Sequence, residues 1–219
     1  MISIETHNLT VSYNRRPVLW NIDFKLPTGK IIGIIGPNGS GKTTLLKAIM
    51  GLVPTSSGYV KIFDQDLNDV RSRVSYVPQR ESVDWDFPAS VMDIVLMGRY
   101  KKNNLFKRIS KADRDIAAEA LEKVNMLEFS KRQISQLSGG QQQRVFIARS
   151  LAQGADLYIM DEPFIGVDAA TEEAILKLLS DMKKDGKTVV VVHHDLQTAK
   201  DFFDWIVLLN TRMVAAEPI

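Results

Sequence analysis

The sequence has no cysteine. Disulfides, thiolate metal centres and cysteine nucleophiles are therefore excluded, and a reducing compartment is compatible with it. Long hydrophobic runs are also missing. The apolar stretches Ile31–Ile35 and Val189–Val192 are strand-sized, well short of the roughly 20 residues needed to cross a bilayer. The opening Met1-Ile-Ser-Ile-Glu5 lacks the basic start and apolar centre of a signal peptide. The expectation is a soluble, cytosolic chain that serves a membrane only through partners. Neither charge dominates: 28 Lys and Arg against 26 Asp and Glu leave +2. That excess is too weak to imply nucleic acid or an acidic membrane surface. No internal repeat and no low-complexity tract is present.

What remains is ordinary globular composition, 45% hydrophobic and 25% charged over 219 residues. This length suits one domain, or one domain carrying an inserted subdomain. Residues 2–12 and 18–26 alternate as strands around the turn Asn14–Pro17, and Lys30–Ile35 is a short apolar strand. A helix is expected from about Lys42 to Met50, and another strand over Tyr59–Phe63. Ser90–Arg99, Lys111–Val124 and Gly140–Gln153 carry helical apolar spacing, with no convincing strand between Val77 and Asp156. Strands return at Leu157–Met160, Thr188–Val192 and Trp205–Leu209, separated by helices at about Ala170–Lys184 and Leu196–Phe203. The expected fold class is α/β, with a mostly parallel sheet, an antiparallel β flank and an inserted α-helical subdomain. The expected division is 1–79 and 156–219 for the α/β core, and 80–155 for the helical part.

Gly36-Pro-Asn-Gly-Ser-Gly-Lys42-Thr43 fits G-x-x-x-x-G-K-[ST] in full, with a strand before and a helix after. Its glycines allow a tight turn that brings backbone N–H groups against phosphate oxygens, and the helix adds its positive dipole end. Pro37, Asn38, Ser40 and Thr44 are expected to complete the cradle, and the α/β core is then expected to be a P-loop NTPase core. Lys42 would neutralise the β- and γ-phosphates, and the Thr43 hydroxyl would ligate Mg²⁺.

The apolar strand Leu157–Met160 delivers Asp161 and Glu162 at its carboxyl end, where ligands sit in open α/β sheets. Asp161 is a candidate Mg²⁺ ligand, directly or through water. Glu162 is a candidate general base toward an attacking water, a role typically worth ~10²–10⁴ in rate. An acidic strand-to-loop cap is the plainer alternative. Farther back, Leu137-Ser-Gly-Gly-Gln141 opens a helix, with Ser138 and Gln141 at capping-box spacing. Ser138 could simply cap it. Two glycines in the first turn each cost roughly 1 kcal/mol against alanine, however, and they expose N–H groups to an incoming anion.

Taken in order, Gly36–Thr43, Leu137–Gln141 and Leu157–Glu162 resemble the nucleotide-binding subunit of an ABC transporter, and LSGGQ matches that family's signature letter for letter. The resemblance implies ATP and Mg²⁺ as cofactors, and an ATPase that works as a head-to-tail pair. Each ATP would lie between one copy's phosphate loop and Ser138, Gly139, Gly140 and Gln141 of the other. Tyr13 resembles the aromatic that stacks on adenine. Gln79 resembles the glutamine that contacts Mg²⁺ and water. Asp168 fits the aspartate of the loop that crosses the dimer interface. His194 fits the switch histidine at the γ-phosphate. The segment Phe164-Ile-Gly-Val-Asp168 departs from the commoner Thr-Ser-Ala-Leu-Asp and loses the small hydroxyl residue.

That departure, with Gln79–Pro88, Val95–Tyr100 and Val192–Leu196, looks like the bacterial subgroup that energises uptake of manganese, zinc or iron. Its implied partners are transmembrane permease subunits and, indirectly, a substrate-binding lipoprotein, with no nucleic acid. Its implied place is the cytoplasmic face of the membrane. The permease contact would fall around Arg80–Arg99, unless Trp85 and Phe87 are only local core. An ATPase for iron chelates and a soluble non-transport ABC ATPase are the competing readings. Relatives usually continue past the last strand, so a shortened C-terminus is also an expectation.

Overall fold

The computed structural model describes residues 1–14, 16–100, 108–193 and 202–219. These divide into two compact units. One comprises 1–76, 156–162 and 180–219, and the other 77–155 and 163–179. The stretch 163–179, expected with the core, thus groups with the helical part. Val167 and Thr171 supply the atoms nearest to a Cβ at Gly140, 3.7 and 3.9 Å away.

The first unit holds two sheets. β1 (Ile2–Tyr13) pairs antiparallel with β2 (Arg16–Pro27) and β4 (Ser57–Ile62). The second sheet has the order β5-β6-β7-β3-β8-β9. In it β3 (Ile31–Ile35), β6 (Leu157–Met160), β7 (Thr188–His193) and β8 (Trp205–Asn210) run parallel, and β9 (Arg212–Pro218) returns antiparallel along β8. All residues of β3, β6 and β7 are buried, as a sheet covered on both faces requires. One core joins Ile4, Leu9 and Ile22 of the antiparallel sheet to Ile32, Ile159 and Val190, with Leu45, Leu46 and Ile49 of α1 (Lys42–Ile49) between them.

Two strands lie outside the sequence expectation. β5 (Val74–Val77) has four residues, too few for a periodic pattern to stand out, and β9 is only partly buried. Between β4 and β5 comes the short α2 (Leu67–Val70). The helix expected at Leu196–Phe203 lies outside the described residues except for Phe202 and Phe203.

The second unit is helical: α3 (Val91–Met97), α4 (Lys111–Lys123), α5 (Gly139–Gln153) and the first part of α6 (Ala169–Lys184). Local sequence dictates where these helices start. Ser90 with Asp93, Ser110 with Asp113, and Ser138 with Gln141 each form a reciprocal capping box. Arg99 then binds the pieces together: its Nε donates to Asp113 at 3.0 Å and its guanidinium to the Ala152 carbonyl at 2.7 Å. Among the described residues no helix is long and apolar enough to cross a membrane.

Candidate nucleotide site

The phosphate loop leaves the carboxyl end of β3 and runs into α1. Gly39 and Gly41 hold φ of 78° and 99°, in the left-handed region that disfavours side chains. Gly36 is held by space instead, since a Cβ there would overlap the Leu209 carbonyl oxygen. Lys42 is buried, and its Nζ donates to the carbonyls of Gly36 at 2.8 Å and Pro37 at 3.0 Å, folding the ammonium over the loop. Ser40 is buried too, and its Oγ has no hydrogen-bond partner. Pro37, Asn38 and Gly39 are exposed, while Thr43 and Thr44 are half-buried on the first turn of α1. No side chain caps α1, and its first turn holds no acidic residue. The free N–H groups and positive dipole of that turn therefore remain available to an anion.

Asp161 follows β6 directly and is fully buried. The Thr43 hydroxyl donates to its Oδ1 at 3.2 Å, while its Oδ2 has no partner. Burial pushes its carboxyl above the usual carboxylate range, with the Glu162 charge adding to the rise; the Thr43 hydrogen bond, Lys47 and Lys42 oppose it. A buried carboxylate oxygen without a donor, next to a threonine hydroxyl, is a donor set that suits a small hard cation. The residues therefore fit Mg²⁺.

Glu162, half-buried, has φ of 51°. Pro163 disfavours a right-handed helical conformation at the preceding residue, and the left-handed one costs roughly 1–2 kcal/mol.

The remaining expected residues are dispersed. Tyr13 is exposed at the end of β1, in the first unit. Gln79, Ser138–Gln141 and Asp168 belong to the second unit. Gln79 is half-buried just before a short 3₁₀ turn, Arg80–Ser82. Ser138 is the N-cap of α5: the Gln141 N–H donates to its Oγ at 3.4 Å, and its own N–H donates to Gln141 Oε1 at 2.9 Å. Asp168 accepts from the Thr171 N–H at 2.9 Å and hydroxyl at 3.0 Å. Those two bonds, backbone first, hold its carboxyl below the ordinary range. His194 lies outside the described residues. Its neighbour His193 is buried, its ring tilted 6.1 Å from that of Phe203.

Two residues beside Asp161 were missed in the sequence. Lys47 sits one helical turn after Thr43, so the i,i+4 rule pointed to it. Tyr76 reaches Asp161 from β5, and burial together with the charge and hydrogen bond of Asp161 raises its phenol above the ordinary range. No sequence signal marks that approach.

Comparisons with known proteins agree with this architecture. A family model described as "ABC transporter" matches residues 19–165. The chain is 61% identical over 218 residues to the manganese transport system ATP-binding protein MntB of Bacillus subtilis (strain 168), covering 100% of this chain and 87% of that protein. It is 56% identical over 213 residues to the zinc transport system ATP-binding protein TroB of Treponema pallidum (strain Nichols), covering 97% and 80%. Among solved structures, a nucleotide-free ATP-binding cassette from an ABC transporter superimposes with a TM-score of 0.86 at 22% identity, over 100% of this chain and 92% of that one. A putative metal-chelate type ABC transporter in an inward-facing conformation does so with 0.83 at 31% identity, over 96% and 80%. The chain therefore belongs to the ABC transporter family and is one of its ATPase subunits.

Proposed function

We propose that this chain drives a bacterial importer for manganese, zinc or iron, from the cytoplasmic face of the membrane. What supports the nucleotide chemistry most is the pairing of Thr43 with a buried Asp161 beside a complete phosphate loop. What supports the cargo is the identity with the manganese and zinc transport proteins named above.

Gly36–Thr44 cradles the triphosphate, with Lys42 on the β- and γ-phosphates and Tyr13 against adenine. Thr43, Asp161 and Gln79 would hold Mg²⁺, which would supply charge neutralisation at the phosphates when bound. Glu162 orients and deprotonates the attacking water, and Gln79 and His194 sense the γ-phosphate. A second copy supplies Ser138, Gly139, Gly140, Gln141 and Asp168, so the pair closes head to tail over ATP. Closure and reopening pass to permease subunits through Arg80–Arg99, and a binding lipoprotein delivers the cargo. Trp85 is committed to packing on Phe146, whereas Phe87 is exposed and open to such a contact.

The likeness to a putative metal-chelate type transporter favours a second reading, in which the cargo is a chelate. Uptake of labelled manganese, zinc, iron and an iron chelate by cells lacking the gene, complemented with the wild type or Lys42→Ala, separates the two. Restored uptake of a free metal by the wild type alone supports the first. Restoration of chelate uptake only refutes it.

A further inference from the structure

We infer that Arg80 is a positioning residue for the signature turn: it clamps the segment after Gln79 onto the first turns of α5 and so sets the orientation of Ser138–Gln141. Its Nε and Nη2 both donate to Gln142 Oε1, at 3.1 and 3.0 Å. The acceptor is itself held, because Gln142 is buried and its Nε2 donates to the Ile134 carbonyl at 3.2 Å. The backbone of Arg80 is gripped as well. Its carbonyl accepts from Trp85 Nε1 at 2.9 Å, and its guanidinium lies 5.8 Å from the Trp85 ring centroid. Trp85 in turn stands edge-on to Phe146 of α5, with centroids 4.9 Å apart. The segment thus holds α5 at residues 142 and 146, one turn apart on one helix face.

Room for the clamp comes from a signature glycine. A Cβ on Gly139 would lie 3.1 Å from both Cζ and Nε of Arg80, tighter than side chains ordinarily pack. Helix stability does not call for this arrangement. A cation beside a helix N-terminus opposes the dipole, and the bonded partner is a neutral amide rather than a carboxylate. A role in orienting the turn accounts for the cost.

The inference rests on the proposed in-trans role of Ser138–Gln141. The test uses the full chain carrying Glu162→Gln, with ATP and Mg²⁺. Dimer dissociation constants are measured by sedimentation, and nucleotide affinity is measured at concentrations where the chain is monomeric. Arg80→Ala and, separately, the near-isosteric Gln142→Leu are each expected to weaken the dimer about tenfold, the scale of one lost charge-assisted hydrogen bond. Monomer affinity stays within about twofold, since the phosphate loop is untouched. Gln142→Leu is read by the same criterion if Arg80→Ala does not fold. Parental dimerisation, or an equal loss of monomer affinity, overturns the inference. Ser138→Arg is the control. If it dimerises like the parent, the in-trans reading itself fails. If it does not, while the two clamp variants dimerise normally, only the positioning role fails.

Discussion

Thr43 and Asp161 stand 118 positions apart in the chain, yet the threonine hydroxyl donates to the carboxylate at 3.2 Å. Thr43 lies in the first turn of α1, the helix after β3. Asp161 directly follows β6, which is separated from β3 in the sheet only by β7. Parallel pairing of all three strands brings both carboxyl ends to one edge, and the two halves of the proposed nucleotide site meet there.

Asp161 should make stability depend on pH in a particular direction. Its carboxyl is raised in the folded state, so ionisation is harder there than in the unfolded chain. The stability it contributes is present below the ordinary carboxylate range and is lost as pH rises through the raised value. Metal-free Asp161→Asn should therefore melt higher than the wild type at neutral pH, each kcal/mol of relieved penalty raising Tm by roughly 2–4 °C. The difference should vanish near pH 3, where the wild-type carboxyl is neutral in both states. Calorimetry across this range checks it, and equal melting at neutral pH contradicts it.

Glu162→Gln keeps the shape of the side chain and removes its basicity. Turnover should fall by ~10²–10⁴, the range of a general base, while ATP binding persists and an ATP-bound dimer accumulates. Phosphate release and size-exclusion chromatography with ATP follow both effects. Turnover close to wild type would remove Glu162 from the base role.

Gly36→Ala tests the fit of the loop rather than its chemistry. The added methyl would overlap the Leu209 carbonyl oxygen and crowd Ser40 Oγ at 2.7 Å. A rigid β8 cannot give way cheaply, so a loss of about 1–3 kcal/mol is expected in urea unfolding, accompanied by weaker nucleotide binding. The same substitution at Gly154 has open space around it and meets only the strain of its positive φ of 71°. It should leave nucleotide affinity unchanged.

The sequence by itself determined the parts whose information is local. The phosphate loop, the acidic pair after β6 and the Ser138–Gln141 capping box are each set by a few consecutive residues, because turn conformation and helix capping act over four to eight positions. Apolar runs likewise marked β3, β6 and β7, whose burial on both faces keeps them apolar apart from Thr188 and His193 at the two ends of β7. What depends on distant pairing was decided only by the tertiary structure. The four-residue β5 is held as a strand by its pairing with β6 at the sheet edge, and it brings Tyr76 to Asp161. The fork of Arg80 onto Gln142 spans 62 positions. Such contacts form after the helices and sheets pack, and side-chain hydrogen bonds across that separation leave no periodicity or spacing in the chain.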